Sequence, residues 1–268
     1  MHTNRNHMLI SAKGLNDYKL DSLEGPIGSV KQFYFEDRYW TIRYLVAETG
    51  HWLANKQVLI SPRSLKDVFI GERYLSVSLT KQQIEDSPVL DSEKPVSRQF
   101  EEAYYGYYGW PSPYIWGAYP YLPAPFVFGN RGQTPDVGPG AKAWDAHLRS
   151  THAVTGHHVQ ATDGEIGHIV DFIIDDQVWA IRYLVIDTLN WWPGKHVLIA
   201  PEWVESIDWE ELKVFVNLTR DQVRQAPRYI DASTITPEYE SQLRRHYNQD
   251  DQWIVRPAQT SQSQILLI

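Results

Sequence analysis

Apolar and polar residues alternate along several short stretches of the chain, a spacing typical of β-strands with one buried face. The clearest stretch runs over residues 40–47. Alternation places one set of side chains on one face (Trp40, Ile42, Tyr44 and Val46) and the other set on the opposite face (Thr41, Arg43, Leu45 and Ala47). Because both sets contain apolar residues, we expect this strand to lie in the middle of a sheet, with one face in a barrel interior.

Further strands are predicted on both sides of this one. Residues 25–28, Gly-Pro-Ile-Gly, predict a turn that leads into a strand over 30–35. Residues 36–38 then predict the exposed tip of a hairpin. Two more strands are predicted at 57–61 and 74–79.

Helices are predicted after these strands. Thr80 and Thr219 are each followed three residues later by Gln, the spacing of a capping box. A second helix is expected near 97–105, and another from Thr236-Pro237 to Tyr247, since Pro is favourable at the first helical position.

The pattern occurs twice, at a separation of 139 residues. Three segments of the first copy match segments of the second at this offset: 25–28 with 164–167, 40–46 with 179–185, and 58–62 with 197–201. Residues 17–108 align with 156–247 without a gap. The sequence therefore predicts a mainly β protein with added helices, built from two tandem small β-barrels related by an internal repeat of 139 residues.

This repeat sets the expected organisation of the chain. It comprises an N-terminal extension (1–16), a first barrel with C-terminal helices (17–108), a connector (109–155), a second barrel with C-terminal helices (156–247) and a C-terminal tail (248–268). The connector is dense in Pro, Gly and aromatic residues. We expect an irregular segment that wraps over one or both domains, and the alternative is a partner-binding surface.

Composition narrows the class of protein. The formal charge of −8 disfavours general nucleic-acid binding, because an acidic chain repels phosphates. The absence of Cys excludes disulfides and thiolate metal sites. No signal-peptide core and no run of roughly 20 apolar residues is present, so we expect a cytoplasmic protein without a membrane span.

The repeated segments resemble the PRC-barrel family, whose name comes from the cytoplasmic domain of the photosynthetic reaction centre H subunit. The residues that carry the resemblance are the Gly-x-Ile-Gly opening, the Trp-x-Ile-Arg-Tyr-Leu-Val strand and the Val-Leu-Ile-x-Pro close, in both copies. Residues 8–14 also look like the start of bacterial two-domain members. The resemblance implies a barrel of about six short strands and leaves the function open.

Three groups of charged or ionisable residues are candidate functional sites. Arg43 and Arg182 occupy equivalent positions and are interpreted as structural, because duplicated domains share scaffolding more readily than an active site. Adjacent carboxylates at 36–37 and 175–176 are interpreted as exposed turn formers. The histidines of the second copy match no metal-binding spacing and are interpreted as exposed (His147, His152, His157, His158 and His168).

The leading hypothesis is a non-enzymatic binding or scaffolding protein with an unknown protein partner, and with no catalytic residue, cofactor or metal. Aromatic residues of the connector and of a loop in the second copy are the candidate partner contacts (Trp110, Tyr114, Trp116, Trp191 and Trp192). The alternatives are an accessory protein of a membrane electron-transfer complex and an RNA- or ribosome-associated factor. A monomer and a homodimer both remain open.

Overall fold

The computed structural model describes residues 8–54, 56–87, 104–110, 147–188 and 194–247. We call the first three ranges the N-terminal half and the last two the C-terminal half. The N-terminal half contains β1 (Leu9–Ser11), β2 (Lys19–Ser22), β3 (Gly25–Glu36), β4 (Thr41–Thr49), β5 (Gln57–Ile60), β6 (Leu65–Phe69), β7 (Tyr74–Val77) and α1 (Lys81–Glu85), and residues 104–107 are helical.

The C-terminal half contains β8 (Leu148–Ser150), α2 (Thr151–Val154), β9 (His158–Ala161), β10 (Gly164–Asp175), β11 (Ala180–Asp187), β12 (His196–Ile199), β13 (Val204–Asp208), β14 (Lys213–Val216), α3 (Arg220–Gln225) and α4 (Pro237–His246). The predicted capping boxes are confirmed, since Thr80 and Thr219 cap α1 and α3 in this way. Thr236 caps α4, as predicted. Across the described residues, no helix combines the length and apolar character that crossing a membrane requires.

The described strands form one mixed sheet of 14 strands, so the mainly β class is confirmed. The main path runs β13-β14-β9-β10-β11-β4-β3-β2-β7-β6, and β1, β5, β8 and β12 attach at its sides. The pairs β2–β7 and β9–β14 are parallel, and the other pairs are antiparallel. The end strands β13 and β6 do not pair with each other, so among the described residues the sheet is open rather than closed.

The halves exchange short strands. Strand β1 of the N-terminal half pairs with β10, where Leu9 lies opposite Asp175. Strand β8 of the C-terminal half pairs in return with β3, where Leu148 lies opposite Glu36. Each half thus receives a three-residue strand from the other.

The halves also meet at a direct bridge between β4 and β11. Thr41 lies opposite Ala180, and the backbone of each half donates a 2.7 Å hydrogen bond to the other, from Ile42 to Trp179 and from Ile181 to Trp40. Both tryptophans have positive φ, +56° and +49°, a conformation that bulky residues rarely adopt. They are buried, and Trp40 stacks on the Phe35 ring at a centroid distance of 5.4 Å.

A β-bulge changes the predicted faces of β4. Tyr34 pairs with Tyr44 but Phe35 pairs with Ile42, so Arg43 is the extra residue of the strand. The bulge moves Ile42 to the face of Leu45, in the main core, whereas Tyr44 lies in a second cluster. The prediction that Ile42 and Tyr44 share a face was therefore wrong. The prediction of a central strand is confirmed, since nearly all of β4 is buried.

Two glycines let neighbouring strands come close. Gly28 and Gly167 have φ of +145° and +139°. A Cβ atom added to them would lie 2.1 Å from the carbonyl oxygen of Glu48 and 1.9 Å from that of Asp187. These distances leave room for glycine alone.

Candidate binding surface

Aromatic side chains cover the outer face of β4 and β5, away from the main core. Tyr44 and Leu59 of these strands are buried there, together with Tyr104 and Tyr105 of the helical turn at 104–107. The Tyr44 and Tyr104 rings meet edge to face, with centroids 5.4 Å apart. Leu148 of the exchanged strand β8 joins the same cluster.

The Tyr104 hydroxyl fixes the helical turn to the edge of the sheet. It donates to the Leu59 carbonyl at 2.9 Å and accepts from the Ser61 amide at 3.0 Å. Burial raises the pKa of Tyr104 well above its ordinary value, so the hydroxyl stays protonated and can make both bonds. These two hydrogen bonds therefore also position the residues that follow the turn, 108–110.

Three aromatic residues extend from this turn toward solvent. The Tyr108 and Trp110 rings are stacked, with centroids 4.6 Å apart, and the Tyr107 ring stands edge-on to Tyr108 at 4.8 Å. Tyr107 is 42% exposed, and Tyr34, Tyr108 and Trp110 are half-buried. We call these four residues the aromatic surface. The Tyr108 hydroxyl donates to the Gln83 carbonyl at 3.2 Å, and burial raises its pKa to about 12.

A polar network lies beside this cluster, where β8 meets the N-terminal half. Asp37 accepts from Arg149 Nε at 3.1 Å, and one of its oxygens lies 2.8 Å from His147 Nδ1. The Arg149 guanidinium also lies 4.0 Å above the Trp209 ring, and His157 meets that ring edge-on. The contacts of Asp37 with Arg149 and His147 thus tie the two halves together, while the cation–π contact positions Arg149 within the C-terminal half.

The same network contains a group that could hold a metal ion. The ligand atoms of Glu36, Asp37 and His147 lie within 4.8 Å of one another. However, Arg38 Nε bonds Glu36 at 2.8 Å, and Arg149 bonds Asp37. Both guanidinium groups would repel a cation, so we interpret the group as an ion-pair network.

Glu36 is only 1% exposed, which corrects the prediction of an exposed turn former. Burial raises its pKa, and the bonds from Arg38 and from the Tyr39 amide oppose this effect. Asp175 is buried as well, at 5% exposure, and caps its own turn by accepting from the Gln177 amide. The carboxylates do form turns, but they face inward because the exchanged strands cover them.

The other candidate residues have different outcomes. Trp110 lies in the aromatic surface, whereas the remaining four candidates lie outside the described residues (Tyr114, Trp116, Trp191 and Trp192). The structural interpretation of Arg43 fits its burial at 3% exposure in the bulge. The histidine interpretation was wrong for His157, which is 4% exposed, because Trp209 packs against it.

Sequence reasoning missed Tyr34, Tyr107 and Tyr108 as members of the surface. A signal was present, since residues 104–110 contain five aromatic residues in seven positions. The repeat aligns Tyr108 with Tyr247, and residues shared by both copies are interpreted as structural, so this aromatic segment was not predicted to be a binding surface.

The chain matches no protein-family model, and no curated protein is significantly similar to it.

Proposed function

We propose that this chain is a non-enzymatic binding or scaffolding protein built on two tandem PRC-type barrels. The element bounds support a duplication: β3 and β10 begin 139 positions apart, at Gly25 and Gly164, and α1 and α3 do so at Lys81 and Arg220. Each half also contributes a run of six strands in the same order, β6-β7-β2-β3-β4-β5 and β13-β14-β9-β10-β11-β12.

One observation supports the binding role: the partly exposed rings of the aromatic surface follow directly after a helical turn that hydrogen bonds hold to the sheet. Tyr and Trp dominate binding energy at protein interfaces, since each offers a large contact area for little conformational entropy. Tyr104 anchors the turn, and Tyr107, Tyr108 and Trp110 present the rings. Leu148 of the exchanged strand β8 packs in the same cluster, so the C-terminal half also contributes to the support of this surface.

The test is affinity capture with the full chain as bait. We expect a protein that is retained by the wild type and lost with the double variant Tyr107→Ala/Trp110→Ala. The matched control is Ile230→Ala, which removes another exposed apolar side chain, 68% exposed, from the C-terminal half. The proposal fails if no retained protein depends on the aromatic surface while the wild type shows reproducible turnover in substrate screens.

A further inference from the structure

We propose that the aromatic surface is the docking site for a segment of this same chain, residues 111–128. This inference rests on the proposed binding function and identifies what occupies the aromatic surface. An outside partner that binds the same surface would compete with this segment.

The path of the chain supports this occupant. The described chain stops at Trp110, within the aromatic surface, and resumes at His147. The next residue, Leu148, belongs to the same aromatic cluster as Tyr104 and Tyr105. The described segments on either side of residues 111–146 therefore meet at the same cluster. A segment tethered at such short range has an effective concentration on the order of millimolar at the surface.

The composition of the segment matches the chemistry of the surface. Residues 111–128 read PSPYIWGAYPYLPAPFVF, with five prolines, six aromatic residues and no charged residue. Proline-rich segments dock into aromatic-lined grooves, because a preformed extended backbone loses little entropy on binding. Burial of this apolar stretch against the aromatic surface also lowers the free energy, because apolar area is removed from water.

The ring geometry offers faces of the required kind. Trp110 and Tyr108 lie nearly parallel, at an interplanar angle of 17°, whereas Tyr107 is turned by 82° relative to Tyr108. Partly exposed aromatic faces of this kind are surfaces on which a proline ring can stack. Tyr34 of β3 packs against the same cluster.

The test uses a labelled synthetic peptide of residues 111–128 and a full-length variant in which a Gly-Ser sequence of equal length replaces 112–128. We expect the peptide to bind this variant at least about tenfold more tightly than the intact protein, whose site is already filled. Adding Trp110→Ala to the variant should abolish binding, and adding Ile230→Ala should leave it unchanged. Equal binding to the intact protein, or no binding to the replaced variant, overturns the proposal.

A second measurement avoids the replaced variant. In the intact chain, Trp110→Ala should raise the amide hydrogen-exchange rates within 111–128 by at least about tenfold over wild type, because docking protects the segment. Unchanged rates would overturn the proposal. If the intact protein has the solution mass of two chains and still does not bind the peptide, the segment of a second copy occupies the surface. That result would overturn docking within one chain.

The two proposals fail separately. If affinity capture depends on Trp110 but the peptide binds neither protein, self-docking is wrong and the binding function stands. If the peptide binds as expected and no partner is captured by either the intact chain or the variant with 112–128 replaced, self-docking stands and the binding function is wrong.

Discussion

Single residues fix how closely the strands approach. Gly28 and Gly167 allow the backbones of neighbouring strands to touch, and the bulges at Arg43 and Arg182 reset which side chains enter the core. Alternation over residues 40–47 predicted a central strand correctly, but it could not reveal the bulge, because one extra residue leaves no mark in an apolar stretch that is buried on both faces.

Gly167→Ala should destabilise the protein by at least about 2 kcal/mol, since the new methyl group meets a backbone carbonyl at a positive φ. Gly71→Ala is the matched control, because a Cβ there meets nothing within 4 Å. Chemical denaturation measures both. Equal stability of the two variants would mean that the strands can move apart at little cost.

His157 should make stability depend on pH. Its pKa is lowered by burial and, secondly, by the charges of Arg149 and His158, so the unfolded chain binds a proton more readily than the folded one. The contribution of His157 to stability is therefore complete above its ordinary pKa of 6.5 and is lost as the pH falls from there through the folded value.

His157→Phe should flatten this loss between neutral and mildly acidic pH in denaturation curves. Glu36 and Asp171 act in the opposite direction at lower pH, because burial raises their pKa values from 4.5 and 3.8. They are common to both proteins, so the difference between variant and wild type isolates His157. Parallel pH profiles would show that His157 does not carry the effect.

Short elements connect the halves and the surface. Strand β1 is held by side chains as well as by its ladder: Asp171 accepts from the Ser11 hydroxyl at 2.5 Å and from the Lys13 amide at 2.9 Å. Capped helices and longer strands could be predicted, because their signals are local. The three-residue strands β1 and β8 could not, since their partners lie more than a hundred residues away in sequence.

The helical turn at 104–107 depends on one hydroxyl group. Tyr104→Phe removes the bonds to Leu59 and Ser61 and leaves a buried amide without its partner, which should cost about 1–3 kcal/mol. Tyr107→Phe, at an exposed ring, should change stability by less than about 0.5 kcal/mol. Thermal unfolding compares them, and an equally small effect of both would argue against the hydroxyl as the anchor.

The whole molecule is organised around the contact between the halves. The repeat in sequence predicted two similar units but not their relation, because pairing between units depends on which edges are left open. The structure places β1 on β10, β8 on β3, and β4 beside β11, so that neither half completes its sheet alone. We therefore infer that the two halves unfold as one cooperative body, and that this body carries the aromatic surface.

Cutting the chain between the two halves shows whether they hold together without a covalent link. A protease recognition sequence inserted after residue 130 allows the full chain to be cut in 111–146, and light scattering during size-exclusion chromatography then gives the particle mass. We predict that both fragments remain together at the mass of one intact chain, because the exchanged strands and the bridge between β4 and β11 survive the cut. Separation into two particles of about half that mass would contradict the account.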